Sequence, residues 1–365
     1  MISLGYVRLY PKLWRAYALL FSKFKLPLPP LHTFFEVTYR CNLRCRFCQF
    51  LETLEQKSPA ALLEREGSLE EMRGIIDQVP PHTLITLSGG EPLLRQDFCE
   101  IAAYACRRHK VHVITNGTLM DEALTLRLMG LRIRNPLSNG LFWISFSVEG
   151  ERETHDRLTG VRGSFDKTVA GIRRVIQARS SRYPFVNTQT VINPLNVTSL
   201  NHIVEVAGDL GVGLCNFIAE NLGNHFNREA GGKTCDMASV PSMPRIDQEI
   251  LNENLDAADM RARELGVRIR YPMGGRKHLL DYYSGRQKVS DFLCYAPWTT
   301  MVICADGQVR SCFGHPFGSL KAQGLREIWQ GGKMELFRSR LLRAGTFPGC
   351  VGCCMLQPRD KDSLG

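Results

Sequence analysis

Three cysteines, Cys41, Cys45 and Cys48, stand within eight residues in the run Tyr39-Arg40-Cys41-Asn42-Leu43-Arg44-Cys45-Arg46-Phe47-Cys48. Three thiolates at this spacing can hold three irons of a [4Fe–4S] cube and leave the fourth iron without a protein ligand. An open iron is a place for chemistry, because a substrate or cofactor can bind it. Structural zinc sites and ordinary ferredoxin sites instead close the shell with a fourth ligand. The competing reading is a zinc knuckle short of one ligand, or three unrelated thiols.

A second set lies near the other end of the chain. Cys294 precedes Ile303-Cys304-Ala305-Asp306-Gly307, then Gln308-Val309-Arg310-Ser311-Cys312, and Cys350-x-x-Cys353-Cys354 follows later. The Asp-Gly pair between two short apolar runs predicts a hairpin flanked by Cys294 and Cys312. Four thiolates suit zinc or an iron–sulfur cluster. Cys99, Cys106 and Cys215 read as ordinary core thiols.

The elements that must position these groups follow from periodicity. β-rich runs are expected at Phe34–Thr38, Leu84–Leu87, Val111–Thr115, Phe142–Val148, Phe185–Ile192 and Gly213–Ile218. Helical patterns fall between them, at Leu69–Val79, Phe98–Arg108, Phe165–Ala178 and Leu200–Leu210. Six strands alternating with helices imply an α/β fold with a parallel sheet, either open or closed into a barrel. A further helix (Ile246–Leu265) and strand (Val267–Tyr271) complete this region. Glu220–Pro244, rich in Gly and Asn, is either a pocket-shaping segment at the strand ends or a surface insertion. Before the first strand, Tyr10, Leu13, Trp14, Tyr17, Phe21 and Phe24 recur at helical spacing among Lys12, Arg15, Lys23 and Lys25. That pattern fits a helix docked on the protein, or one lying in a membrane interface.

Bulk properties bound the rest. The 365 residues are 44% apolar with a formal charge of +10, enough chain for one large domain and a small one. No nucleic-acid module accompanies the basic charge, so nucleic-acid binding is not expected. No secretory signal or uncharged run of spanning length is evident. Thirteen cysteines, an odd number in metal-type spacings, favour a reducing, cytoplasmic setting over a disulfide framework.

The C-x3-C-x-Phe-C triad, with Ser88-Gly89-Gly90-Glu91-Pro92 about forty residues later, resembles the radical S-adenosylmethionine (SAM) superfamily. The resemblance covers roughly residues 33–355 and implies a partial (β/α)6 barrel with its chemistry at the C-terminal strand ends. It implies an enzyme in which SAM chelates the open iron. The reduced cluster then cleaves SAM to methionine and a 5′-deoxyadenosyl radical, which takes a hydrogen atom from the substrate. By the same resemblance Cys41, Cys45 and Cys48 ligate the cluster, and Phe47 sits near the adenine. Gly89, Gly90, Glu91 and Pro92 form the turn facing the methionyl ammonium. Asn116, at the end of strand three, joins the cofactor-binding set. Ser147 and Glu149 contact the ribose or methionine moiety, and Arg157 or Arg162 pairs with the SAM carboxylate. Asn196 lies near the cofactor or caps the next helix, and His155 fixes the turn.

The second set, with Leu325-Arg326-Glu327-Ile328-Trp329, resembles the SPASM or shorter "twitch" extension of that superfamily. The twitch version implies one auxiliary [4Fe–4S] cluster on Cys294, Cys312, Cys350 and Cys353, with Cys354 as rival fourth ligand and Cys304 packed in the hairpin. The expected organisation is an extension (1–30), a barrel (31–271), a bridge (272–293) and an auxiliary-cluster module (294–365). A ferredoxin- or flavodoxin-type electron donor is implied. Substrates consistent with the resemblance are a peptide or protein, or a small molecule. A lipid or membrane-associated precursor is the alternative that the N-terminal pattern would suit. A non-catalytic iron–sulfur or zinc scaffold is the remaining class.

Overall fold

The computed structural model describes residues 16, 17, 20, 28–220, 243–312 and 316–359. Seven strands pair in parallel and in chain order: β1 (His32–Thr38), β2 (Leu84–Gly89), β3 (Lys110–Thr115), β4 (Gly140–Ser147), β5 (Phe185–Ile192), β6 (Leu214–Ala219) and β7 (Arg268–Arg270). Alternation along the strands explains how they sit. Ile85, Leu87, Val111, Val113, Ile144 and Phe146 are buried in the main apolar core on one face. Thr86, His112, Ser145 and Asn187 occupy the other face and hydrogen-bond across strands. Parallel pairing needs long crossovers, and helices fill them. Their ends carry the expected signals. Ser68 and Glu71 form a capping box on Leu69–Gln78, Asp121 caps Glu122–Gly130, and Gly266 ends Gln248–Leu265 in the left-handed region at φ 66°.

The expected strands all occur, and Phe185–Ile192 coincides with its expected bounds. The hairpin also forms, from β9 (Thr300–Ile303) and β10 (Gln308–Arg310), after the short β8 (Phe292–Cys294). Where the hairpin goes is the main difference from expectation. β9 pairs in parallel with the free edge of β1, His32 opposite Thr300 through Phe35 opposite Ile303. β11 (Pro316–Ser319) extends the sheet to ten strands, and β12 (Leu356–Pro358) pairs separately with β8. The C-terminal segment therefore continues the barrel sheet, because β1 would otherwise present unpaired backbone groups. The expected bridge holds a helix, Arg276–Tyr283, whose two buried tyrosines return to the barrel. The Tyr282 hydroxyl donates to the Glu220 carbonyl at 2.5 Å, and that of Tyr283 donates to the Ile192 carbonyl.

Most of the N-terminal stretch 10–25 lies outside the described residues, as does most of 220–244, including Cys235. Among the described residues no helix is long and apolar enough to cross a membrane.

Candidate active site

The loop carrying Cys41, Cys45 and Cys48 leaves the C-terminal end of β1 and is fastened on three sides. Gly90 N donates to the Thr38 carbonyl at 2.9 Å and Glu91 N to the Arg40 carbonyl at 2.8 Å, tying it to the end of β2. Asn116 Nδ2 donates to Asn42 Oδ1 at 2.9 Å, tying it to the end of β3. Arg44 N and Arg46 N donate to the carbonyls of Thr159 and Leu158, at 2.8 and 3.0 Å, in the last turn of helix Arg152–Thr159. A Cβ added at Gly89 or Gly90 would stand 2.2 Å from the Thr38 or Arg40 carbonyl oxygen. The glycines are thus required by the approach of the chain to itself.

The three thiols suit an iron cluster. Leu43 N donates to Cys41 Sγ and Phe50 N to Cys48 Sγ, each at 3.4 Å. Burial pushes the Cys41 thiol up to about 12, and the neighbouring Glu91 and Cys48 add to the rise. Cys45 is raised well above the usual thiol range by burial, then by Cys48, Glu149 and Cys41. Burial also raises Cys48. Three mutually repelling buried thiolates are costly in the bare chain, and a cationic iron core removes that cost. Phe47 is half-buried between Cys45 and Cys48 in sequence.

Glu91 is fully buried. Its Oε1 accepts from Thr115 Oγ1 (2.7 Å) and Leu93 N (3.0 Å), and its Oε2 from Asn116 N (2.7 Å). It locks the β2 turn, including the buried Pro92, to the end of β3, so Asn116 reaches Asn42 from a fixed base. Burial pushes its carboxyl up to about 7 despite those bonds.

Glu149, two residues beyond β4, is held at its N–H, its carbonyl and one carboxyl oxygen. Its N–H donates to His155 Nδ1 at 3.1 Å, its carbonyl accepts from Asn196 Nδ2 at 2.9 Å, and its Oε2 accepts from Val191 N at 2.9 Å. Burial pushes the carboxyl up to about 8, helped by Glu220 after β6. Glu149 also contributes to the rise of the Cys45 thiol, which places it near the cluster loop. Asn196 is buried and donates also to the Val191 carbonyl, while its Oδ1 accepts from Asn193 N. Its side chain therefore holds the ends of β4 and β5 and makes no helix-cap bond. Ser147 ends β4, half-buried opposite Gln189. Arg157 and Arg162 are exposed, Arg157 donating to the Leu195 carbonyl at 3.3 Å.

The distant cysteines also converge. Burial raises the Cys294 thiol, and Cys350, Cys312 and Cys354 all act on it. Burial pushes Cys350 up to about 12, with Cys312 adding to the rise. Cys353 hydrogen-bonds Cys354, which raises Cys353 and lowers Cys354, Arg270 lowering Cys354 further. Both rivals for the fourth position are therefore at the site. Among the described residues no three Cys, His, Asp or Glu side chains are grouped closely enough to hold a single metal ion. Cys304 packs beyond its own hairpin, in a small core with Tyr39, Phe50, Leu54 and Leu62 that Cys41 and Cys48 lean against.

Residues 35–207 match the radical SAM superfamily, and residues 294–354 match SPASM, an iron–sulfur cluster-binding domain. The chain carries a radical SAM domain and a C-terminal SPASM domain. The radical SAM domain implies a [4Fe–4S] cluster with SAM, and the SPASM domain implies auxiliary iron–sulfur binding. Among relatives, the Fe-coproporphyrin III synthase of Methanosarcina barkeri is 34% identical over 160 residues, 43% of this chain and 36% of that protein. The PqqA peptide cyclase of Granulibacter bethesdensis is 27% identical over 318 residues, 83% of this chain and 74% of that protein. This radical SAM chain thus spans little more than a third of the first relative and about three quarters of the second. The crystal structure of Streptococcus suis SuiB bound to S-adenosylmethionine has the same fold, with a TM-score of 0.60 at 15% identity over 88% of this chain and 70% of that one.

Three residues of the site escaped sequence reasoning. Asp156 accepts from Gly163 N, Ser164 Oγ and Phe165 N, and so begins the helix Ser164–Ala178. Glu220 brings a second buried carboxyl, pushed up to about 7 by burial, toward Glu149. Glu66 braces the entry to the cluster loop. Glu220 and Glu66 belong to no spaced motif, whereas Asp156 stands in the run Glu153-x-His155-Asp156-Arg157-Leu158-Thr159-Gly160, which resembles the superfamily's segment after strand four but marks no role for this residue.

Proposed function

We propose that this chain is an enzyme that cleaves SAM reductively at the cluster held by Cys41, Cys45 and Cys48, and modifies a peptide through a carbon-centred radical. One observation supports the reading: three largely buried thiols lie on one loop after β1 that is pinned to the ends of β2 and β3, at the C-terminal ends of the parallel strands. When bound, the reduced cluster supplies the electron that converts SAM to methionine and the hydrogen-abstracting 5′-deoxyadenosyl radical. The residues supply position. Gly89, Gly90, Glu91 and Pro92 hold the turn that meets the methionyl ammonium, and Asn116 steadies the cluster loop through Asn42. Ser147 and Glu149 meet the ribose or methionine moiety, with Asn196 holding Glu149 in place. Phe47 lies against the adenine, and Arg157 or Arg162 reaches the SAM carboxylate. The SPASM cysteines Cys294, Cys312, Cys350 and Cys353, with Cys354 as rival, hold an auxiliary cluster that can accept an electron from the substrate radical.

Anaerobically reconstituted protein given dithionite and SAM should yield 5′-deoxyadenosine. Cys45→Ala should abolish that product and lower bound iron by about half, as expected if each set holds one four-iron cube. Cys350→Ala should leave uncoupled cleavage without substrate turnover. Equal SAM cleavage by the Cys45 variant and the parent would contradict the assignment.

The peptide substrate is supported by a relative named as a peptide cyclase that aligns across both domains. A tetrapyrrole-type small molecule is the second reading, supported by the higher identity to the coproporphyrin enzyme over part of the chain. Mass spectrometry of a deletion strain separates them: loss of a modified peptide favours the first, accumulation of a small precursor the second. A ferredoxin- or flavodoxin-type protein is the proposed electron donor, and such a donor should replace dithionite. The cysteine-rich, metal-spaced composition supports a reducing, cytoplasmic setting. A peripheral membrane contact through residues 10–25 rests on their aromatic and basic pattern, and failure to co-sediment with anionic vesicles would remove it.

A further inference from the structure

Arg65, Glu66 and Gly67 stand in a loop that neither the cluster motif nor the SPASM cysteines include, yet the three residues join those two regions. The Glu66 carboxylate is 1% exposed. Its Oε1 accepts from Thr38 Oγ1, from Tyr39 N at 3.3 Å and from Arg40 Nε at 3.0 Å, while Arg40 Nη2 reaches Oε2 at 3.1 Å. Arg95 Nη1 stands 3.6 Å from Oε2 and also donates to the carbonyls of Val37 and Gly67. One buried carboxylate thus holds the side chain or backbone of each of the three residues before Cys41. Its neighbours face the other way. Arg65 Nη2 pairs with Asp306 Oδ2 at 3.1 Å and its guanidinium lies 5.2 Å over the Tyr39 ring, while Gly67 N donates to the Ala305 carbonyl at 2.9 Å. Ala305 and Asp306 form the turn of the β9–β10 hairpin, and Cys304 beside them packs under Tyr39.

We propose that Glu66 is a positioning residue for the first cluster loop, and that Arg65 and Gly67 make the loop's position depend on the C-terminal hairpin. The physical reason is the kind of bond involved. Charge-assisted, bidentate bonds around a buried carboxylate allow few alternative geometries. A shift of the hairpin turn is passed through three consecutive residues to the backbone that leads into Cys41. The SPASM domain then acts on the SAM site mechanically, apart from any electron transfer between clusters. This inference rests on the triad holding the first cluster, but its principal test does not require iron.

Two substitutions in the full chain test it. Glu66→Gln removes the charge that Arg40 and Arg95 share, and Asp306→Asn weakens the hairpin's own hold, both on Arg65 and directly on Tyr39. In iron-free protein, backbone hydrogen exchange at residues 39–50 should quicken roughly tenfold in Glu66→Gln and about threefold in Asp306→Asn, with β3–β5 unchanged. In reconstituted protein both variants should keep their iron while the KM for SAM rises and the SAM-dependent change in the reduced cluster's EPR spectrum weakens. Unaltered exchange at 39–50 in both variants overturns the proposal. Acceleration spread evenly over β3–β5 also overturns it, since that marks general destabilisation. If Glu66→Gln does not fold, Asp306→Asn and Arg65→Gln decide by the same measurements. A parent chain that never takes up iron would sink the cluster reading, not this coupling, which the iron-free exchange judges separately.

Discussion

Glu91 shows how a single residue trades burial against hydrogen bonding at this site. Three donors converge on its carboxylate, yet burial outweighs them and its pKa rises from 4.5 to about 7. The folded chain therefore holds this proton more tightly than the unfolded chain does. The sign follows from linkage: stability is full below about 4.5 and is lost as pH rises through about 7. Glu220, at about 7, and Glu149, at about 8, push the same way. The iron-free protein should thus show a urea midpoint that falls between pH 6.5 and 8, and a flat profile would contradict this. Glu91→Ala should cost about 3 kcal/mol or more, because Thr115, Leu93 and Asn116 lose their acceptor. At this scale the triad and the Gly-Gly-Glu-Pro turn were legible, since each is a short run of adjacent residues. Glu66 was not legible. Its partners stand 26 to 29 residues away along the chain, and nothing in its local run marks it.

Between elements, a line of side chains crosses five strands on the face away from the helices. His32 Nε2 meets Thr86 Oγ1 at 2.7 Å, Thr86 Oγ1 meets His112 Nδ1 at 3.0 Å, and His112 Nε2 meets Ser145 Oγ at 2.8 Å. Ser145 donates to Asn187 Oδ1 at 2.6 Å, and Trp143 Nε1 donates to the same oxygen. Asn187 Nδ2 donates to the Thr188 carbonyl, which fixes the amide's orientation. Ser145 must then accept from His112 Nε2–H, Thr86 must donate to His112 Nδ1, and His32 Nε2–H must donate to Thr86. Burial pushes both histidines down to about 3, so both are neutral at ordinary pH. Nitrogen NMR should find both protonated at Nε2 alone from pH 5 to 8, and titration of either ring in that range would refute the chain of donors. Here the sign is opposite to that of the carboxyls: this contribution is complete above about 6.5 and is lost as pH falls toward 3. The strands themselves were legible from alternation. The polar line was not, because it depends on register between strands.

For the whole molecule the decisive contact is β9 against β1. Residues 294–365 read in sequence as an added module, but they complete the sheet edge beside the cluster loop and share its apolar core through Met301 and Ile303. A chain ending at residue 293 would expose that edge. It should aggregate or bind a hydrophobic dye, and a monodisperse, cooperatively folding fragment would show that β1 needs no partner.

The amino-acid sequence by itself determined the local chemistry: three thiols on one loop, glycines at a strand end, alternating strands and a hairpin with an Asp-Gly turn. These depend on neighbours a few bonds apart, so spacing and periodicity carry them. Tertiary structure alone decided which distant groups meet. It brought Cys294 to Cys350 and Cys353, set Glu66 among two arginines and laid the hairpin along β1. The free energy of those contacts depends on register and packing between segments that local pattern leaves unspecified.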